Sequence, residues 1–111
     1  VGDYVLREIS TDIRELLMQE HSNGQLFRYG GDEFFIVFRN QTGEEAYRMM
    51  TQITKNISDK EFAYNDIPFN VSISVGVAEI TDEKNPKTII DKVDKNLYVA
   101  KANGKNQVYY V

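Results

Sequence analysis

The stretch Leu26-Phe-Arg-Tyr-Gly-Gly-Asp-Glu-Phe-Phe-Ile-Val-Phe38 decides how the chain folds. Two short apolar runs, Leu26 to Tyr29 and Phe34 to Phe38, flank Gly30-Gly31-Asp32-Glu33, a spacing that predicts a hairpin. The second run is apolar at every position, so its strand is expected to be covered on both faces.

Outward from the hairpin, helices are expected on either side. Val5, Leu6, Ile9, Ile13, Leu16 and Leu17 recur at three- and four-residue spacing, with Arg7, Glu8, Asp12 and Glu15 opposite. Asn23-Gly24, within His21-Ser-Asn-Gly24, is the stop signal for that first helix. Thr42-Gly-Glu-Glu45 reads as a capping box, which starts a helix near residue 43. Its apolar stripe is Ala46, Met49, Met50, Ile53 and Ile57.

Residues 58–68 are polar and turn-rich, with room for a short strand near Phe62 to Tyr64. One long strand is expected from Phe69 to Ala78. Phe69, Val71, Ile73, Val75 and Val77 alternate there with Asn70, Ser72, Ser74, Gly76 and Ala78, leaving a small face for a helix to approach. Pro86 suits a helix's first turn, Ile89, Ile90, Val93, Leu97 and Ala100 continue with helical period, and Gly104 is the stop. Val108 to Val111 closes the chain as a strand. The order α, β-β, α, β, α, β predicts one α/β (α+β) domain over 1–111 with a largely antiparallel sheet.

Bulk properties narrow the function. The 111 residues fit one domain, and 41% hydrophobic with 27% charged residues is ordinary for a globular protein. A formal net charge of -4 disfavours generic attraction to nucleic acid. With no cysteine, disulfides and thiolate metal sites are excluded. No apolar run approaches the roughly 20 residues needed to span a bilayer, and no signal-peptide pattern opens the chain. His21 has no second His or Cys with which to build a zinc site and reads as a surface turn residue.

Several places could carry chemistry. Gly30 and Gly31 permit backbone conformations closed to other residues and let a phosphate or ribose lie against the main chain. The adjacent carboxylates of Asp32 and Glu33 could supply hard oxygen ligands to Mg²⁺. On spacing alone, a glycine turn followed by solvated acids accounts for the same residues. Lys101 and Lys105, four residues apart near a helix end, would share one side. They could grip phosphates or simply complement the helix dipole. Asp3 could be an ordinary acid at a helix N-terminus, and Arg28 could meet a phosphate or a neighbouring acid.

Four blocks resemble the GGDEF domain family, whose members are diguanylate cyclases. Arg28-Tyr-Gly-Gly-Asp-Glu-Phe34 is similar to the signature that names it. Gly2-Asp-Tyr-Val-Leu6 resembles the head of its first helix, Val71-Ser-Ile-Ser-Val-Gly-Val-Ala78 one of its strands, and Asp94 to Asn106 its closing helix. The resemblance implies a ferredoxin-like sheet flanked by helices, and condensation of two GTP into cyclic di-GMP and two pyrophosphates in a homodimer. It assigns Mg²⁺ or Mn²⁺ to Asp32 and Glu33, with Glu33 placing the metal or assisting proton transfer. Gly30 and Gly31 would lie against ribose and phosphates, Asp3 would accept from guanine, and Lys101 and Lys105 would hold the terminal phosphates. The family more often has Arg where Lys105 stands, so the charge is kept but the bidentate fork is not.

The resemblance also implies a central strand and loop ahead of Gly2-Asp3, with a metal-binding Asp and a guanine-binding Asn; these lie outside the 111 residues. The chain is therefore read as N-terminally truncated, inactive or nearly so by itself, and fused in its parent to an upstream sensory region. A cytoplasmic location is expected, without direct membrane contact from this domain. His21-Ser-Asn-Gly24 replaces the family's Arg-x-x-Asp feedback motif, so that inhibitory site is expected to be absent. The alternative reading is a degenerate GGDEF domain that senses GTP or cyclic di-GMP, or a dimerising scaffold.

Overall fold

The computed structural model describes residues 2–20, 24–30, 33–38, 41–80 and 85–111, with Asp3, Arg28, Tyr29, Gly30 and Glu33 described by their backbone alone. Residues 21–23, which carry most of the His21–Gly24 reading, lie outside that description, as do Gly31 and Asp32. The chain divides into two compact units, Val1–Gln41 and Thr42–Val111.

The first unit holds α1 (Gly2–Gln19), β1 (Gln25–Gly30) and β2 (Glu33–Val37). Ile9, Ile13 and Leu17, spaced by four, are the buried line of α1. β1 and β2 pair antiparallel, with Leu26 opposite Ile36 and Phe27 opposite Phe35. Gly24 precedes β1 in tight quarters: a Cβ there would sit 2.7 Å from Phe38 Cε1 and 3.2 Å from Ile36 Cγ2, so those side chains would have to shift to admit one. The expectation that β2 is covered on both faces needs correction. Val37 is 44% exposed, and Phe34, Phe35, Ile36 and Phe38 are half-buried. The β1–β2 sheet has two strands, and a ribbon of that width does not bury both its faces.

In the second unit run α2 (Gly43–Asp59), β3 (Phe62–Tyr64), β4 (Ile67–Phe69), β5 (Val75–Val77), α3 (Pro86–Ala102) and β6 (Val108–Tyr110). α2 starts as its sequence requires. The Glu45 N–H donates to Thr42 Oγ1 at 3.1 Å, and the Thr42 N–H donates back to Glu45 Oε1 at 2.9 Å. Glu79 Oε1 accepts from the Gly43 N–H at 2.6 Å, so a third orphan donor of the helix end is satisfied from β5's side. Ala46, Met50, Ile53 and Ile57 are buried on the inner face, with Ile53 and Ile57 fully so.

The backbone N–H of Thr42, then the Thr42 side chain, hold the Glu45 carboxyl below its ordinary value, and Arg48 adds to this. A depressed carboxylate contributes stability that is complete above the unfolded-state value, about 4.3, and is lost as pH falls through the folded one. Thr42→Ala is expected to cost about 1 kcal/mol at neutral pH. The difference from wild type should shrink below about pH 4, as urea melts at pH 7 and pH 3 would record.

One element differs from the sequence reading. The single strand expected over Phe69–Ala78 is divided into β4 and β5, with 70–74 outside any ladder. Phe69 is committed to a hairpin with Phe62, their rings stacked at 5.9 Å. Asn65 and Asp66, at φ 51° and 65°, make its tight turn. The pairing is largely antiparallel, as the sequence reading expects, with one parallel pair. β1–β2 and β3–β4 are antiparallel, but β5 and β6 pair parallel, Val75 opposite Val108 and Val77 opposite Tyr110. α3 is the crossover that brings the chain back in the same direction, the connection a parallel pair requires.

α3 seats directly on β5. A Cβ on Gly76 would strike Leu97 N and lie 2.6 Å from Val93 O, so the small strand face does receive a helix. Asn96, 7% exposed, donates from Nδ2 to Val77 O at 2.6 Å. At its start, Asn85 Oδ1 accepts from the Lys87 N–H and Pro86 follows the cap. No helix among the described residues is long and apolar enough to cross a membrane.

Candidate functional site

The glycine bend is built by the register of β1 and β2. Pairing runs regularly from Gln25–Val37 to Arg28–Phe34 and then shifts, so that Gly30 faces Glu33. Tyr29 is the extra residue, a bulge of the kind that re-aims a strand end. Residues 31 and 32 connect the paired ends of the ribbon. Asp32 lies outside the described residues, and of Glu33 the structure gives the backbone, held opposite Gly30. Asp3 stands in the first turn of α1.

Lys101 and Lys105 belong to the second unit. Lys101 is in the last turn of α3, exposed and near the carbonyl end. The helical relation expected between them does not hold, because α3 ends at Ala102. Gly104, Lys105 and Asn106 follow with φ of 117°, 63° and 49°, three consecutive left-handed residues. The stop anticipated at Gly104 is the physical cause: the chain leaves the helix before Lys105 can join its face. The ion pairs seen among the described residues, Arg48–Glu44 and Lys55–Asp59, lie on α2 and involve neither lysine.

The bend and the lysines thus sit in separate units, each described by itself. Among the described residues no three His, Asp or Glu converge as a metal site. Sequence reasoning missed Asn96, although a polar residue three after Val93 and one before Leu97 stood out against α3's apolar period. It also gave no sign of two hydrogen bonds at the left-handed turn, from the Asn106 N–H to Ser74 Oγ at 3.2 Å and from Gln107 Nε2 to Lys105 O at 3.2 Å, which no periodicity could signal.

A mixed α/β chain whose first hairpin carries the sequence Gly30-Gly31-Asp32-Glu33 between its paired ends is the class this arrangement defines. The family described as "Diguanylate cyclase, GGDEF domain" matches residues 1–107, and the chain belongs to that family. Diguanylate cyclase A of Treponema denticola is 33% identical over 108 residues, covering 96% of this chain and 28% of that protein. Diguanylate cyclase SiaD of Pseudomonas aeruginosa, solved with its activator SiaC, superposes with a TM-score of 0.89 at 22% identity, over 99% of this chain and 41% of that one. The GGDEF domain of DgcB from Caulobacter crescentus, solved with c-di-GMP, superposes with a TM-score of 0.87 at 22% identity, over 98% of this chain and 64% of that one. At that identity the two structures speak to the fold. The chain spans roughly a quarter of the length of the Treponema relative.

Proposed function

We propose that the protein carrying this chain condenses two GTP into cyclic di-GMP with release of two pyrophosphates. The observation that carries the reading is the family match over residues 1–107 together with an unaltered Gly30-Gly31-Asp32-Glu33-Phe34. A module that only binds has no need of both acids.

Donor chemistry fits a divalent cation: adjacent carboxylates are the hard oxygen ligands Mg²⁺ or Mn²⁺ takes alongside phosphates, and Asp32 and Glu33 would hold it. When bound, the ion would neutralise phosphate charge and acidify the attacking hydroxyl. Gly30 and Gly31 leave the backbone bare where ribose and phosphates approach. Asp3 accepts hydrogen bonds from guanine N1 and N2, a pair of donors that adenine lacks. Lys101 and Lys105 hold the terminal phosphates as point charges.

Two domains of a homodimer face each other, each with one GTP. The 3′-hydroxyl of each nucleotide attacks the α-phosphate of the other. Two phosphodiester bonds form, two α–β anhydride bonds break, and the leaving pyrophosphates carry their electron pairs away. Glu33 places the metal or receives the hydroxyl proton. Much of the rate comes from holding the two nucleotides in line. The upstream region supplies the signal, and the domain works in the cytoplasm, where GTP is.

The test is product formation by the full-length protein. With GTP and Mg²⁺ it should release cyclic di-GMP and pyrophosphate in a ratio of one to two, and ATP should not substitute. GTP consumption without cyclic di-GMP, or none at all across a range of protein concentrations, would remove the reading.

A further inference from the structure

Lys105 occupies a backbone conformation that a residue with a side chain adopts only when its surroundings impose it. Its φ is 63°, between Gly104 at 117° and Asn106 at 49°. A single left-handed residue after a helix is common, but three in succession, two of them non-glycine, are not. Something must hold the turn.

Two side chains do so from opposite directions. Gln107 folds back over the turn and donates from Nε2 to Asn103 O at 3.0 Å and to Lys105 O at 3.2 Å. The same nitrogen lies 3.8 Å from where a Cβ on Gly104 would stand, so the amide spans the turn from its helical end to Lys105. From the strand side, Ser74 Oγ accepts from the Asn106 N–H at 3.2 Å. The backbone completes the frame: the Lys105 N–H reaches Ala100 O at 3.1 Å, and the Val75 N–H reaches Gln107 O at 3.0 Å. Every peptide flanking Lys105 is therefore tied either to α3 or to the start of β5.

We infer that Gln107 and Ser74 are positioning residues for phosphate binding: they hold the left-handed turn that fixes where Lys105 carries its charge. The inference rests on the proposed reading that Lys105 meets the terminal phosphates. A lysine is a flexible point charge, and what it contributes to binding depends on the entropy lost in placing it. A pre-formed turn removes the backbone share of that loss before the ligand arrives. The half-buried Gln107 has two donors, and both its bonds go to carbonyls of the turn.

The experiment measures binding by titration calorimetry to the full-length protein with Mg²⁺. The probes are a GTP analogue with a methylene between the α- and β-phosphates and, in parallel, GMP. Lys105→Ala should weaken the analogue about tenfold, and Gln107→Met, which keeps the volume without the donors, about fivefold. Ser74→Ala should act in the same direction, about threefold. GMP, which lacks the terminal phosphates, should bind all of them like wild type. The double variant Lys105→Ala/Gln107→Met should be no weaker than Lys105→Ala, since the clamp acts through the lysine.

A Gln107→Met protein that binds the analogue within twofold of wild type, or loses GMP equally, or adds its full effect to Lys105→Ala, overturns the inference while leaving the lysine's role intact. If Lys105→Ala itself loses no affinity, the phosphate role of Lys105 falls and the clamp with it. Ser74→Ala gives the same discrimination should Gln107→Met fail to fold.

Discussion

Gly76→Ala is expected to destabilise the Thr42–Val111 unit by about 3 kcal/mol or more, because the added methyl group meets backbone that cannot step aside. The atoms it would strike are Leu97 N, Val93 O and Asn96 C, all in the main chain of α3. To admit the methyl, the whole helix must lift from β5. That would break the 2.6 Å bond from Asn96 Nδ2 to Val77 O and leave a buried amide and a carbonyl unsatisfied. Gly43→Ala is the control. Its Cβ would meet Tyr110 side-chain atoms, Cζ among them at 2.5 Å, and these are the far end of a side chain that can swing aside about χ1, unlike main chain. Chemical denaturation should therefore show a large loss for Gly76→Ala and a smaller one for Gly43→Ala. Equal midpoints would mean that the helix is not held by close approach at Gly76.

Asp32→Ala should lower cyclic di-GMP formation by the full-length protein on the order of a thousandfold, the scale at which removing a group that stabilises transition-state charge acts. Binding of GTP should fall far less, because Asp3, Lys101 and Lys105 are untouched in the proposed site. The same variant separates catalysis from sensing: a sensor or scaffold would keep its effect on partners, whereas a cyclase loses its product. Product above a tenth of wild type would show that Asp32 does not hold the catalytic metal.

The residues that were most informative one by one were those that act locally. Thr42 and Glu45 announce a capping box and form one. Asn23-Gly24 and Gly104 mark helix ends, and α1 and α3 end within a few residues of them. Ile9, Ile13 and Leu17 are buried at the spacing their period implies. Lys105 shows the limit of that approach. Four residues after Lys101 it counts as a helical neighbour by spacing, yet the turn that Gly104 begins carries it off the helix.

Strand partnership was the less legible part. The alternating run from Phe69 to Val77 has the pattern of one strand, but Phe69 pairs with Phe62 and Val75 with Val108. A strand is defined by what lies beside it, and no local pattern names the neighbour.

From the amino-acid order alone came the helices, the hairpin around Gly30-Gly31, the candidate acids and lysines, and the GGDEF family, because each rests on short-range geometry or on a contiguous motif. Only the tertiary structure decided that β5 and β6 run parallel, that Asn96 is buried against Val77, and that Ser74 and Gln107 brace the turn of Lys105. Several of those facts join residues ten to forty positions apart, and hydrogen bonds at such separations are chosen by packing, which the period of a sequence does not encode.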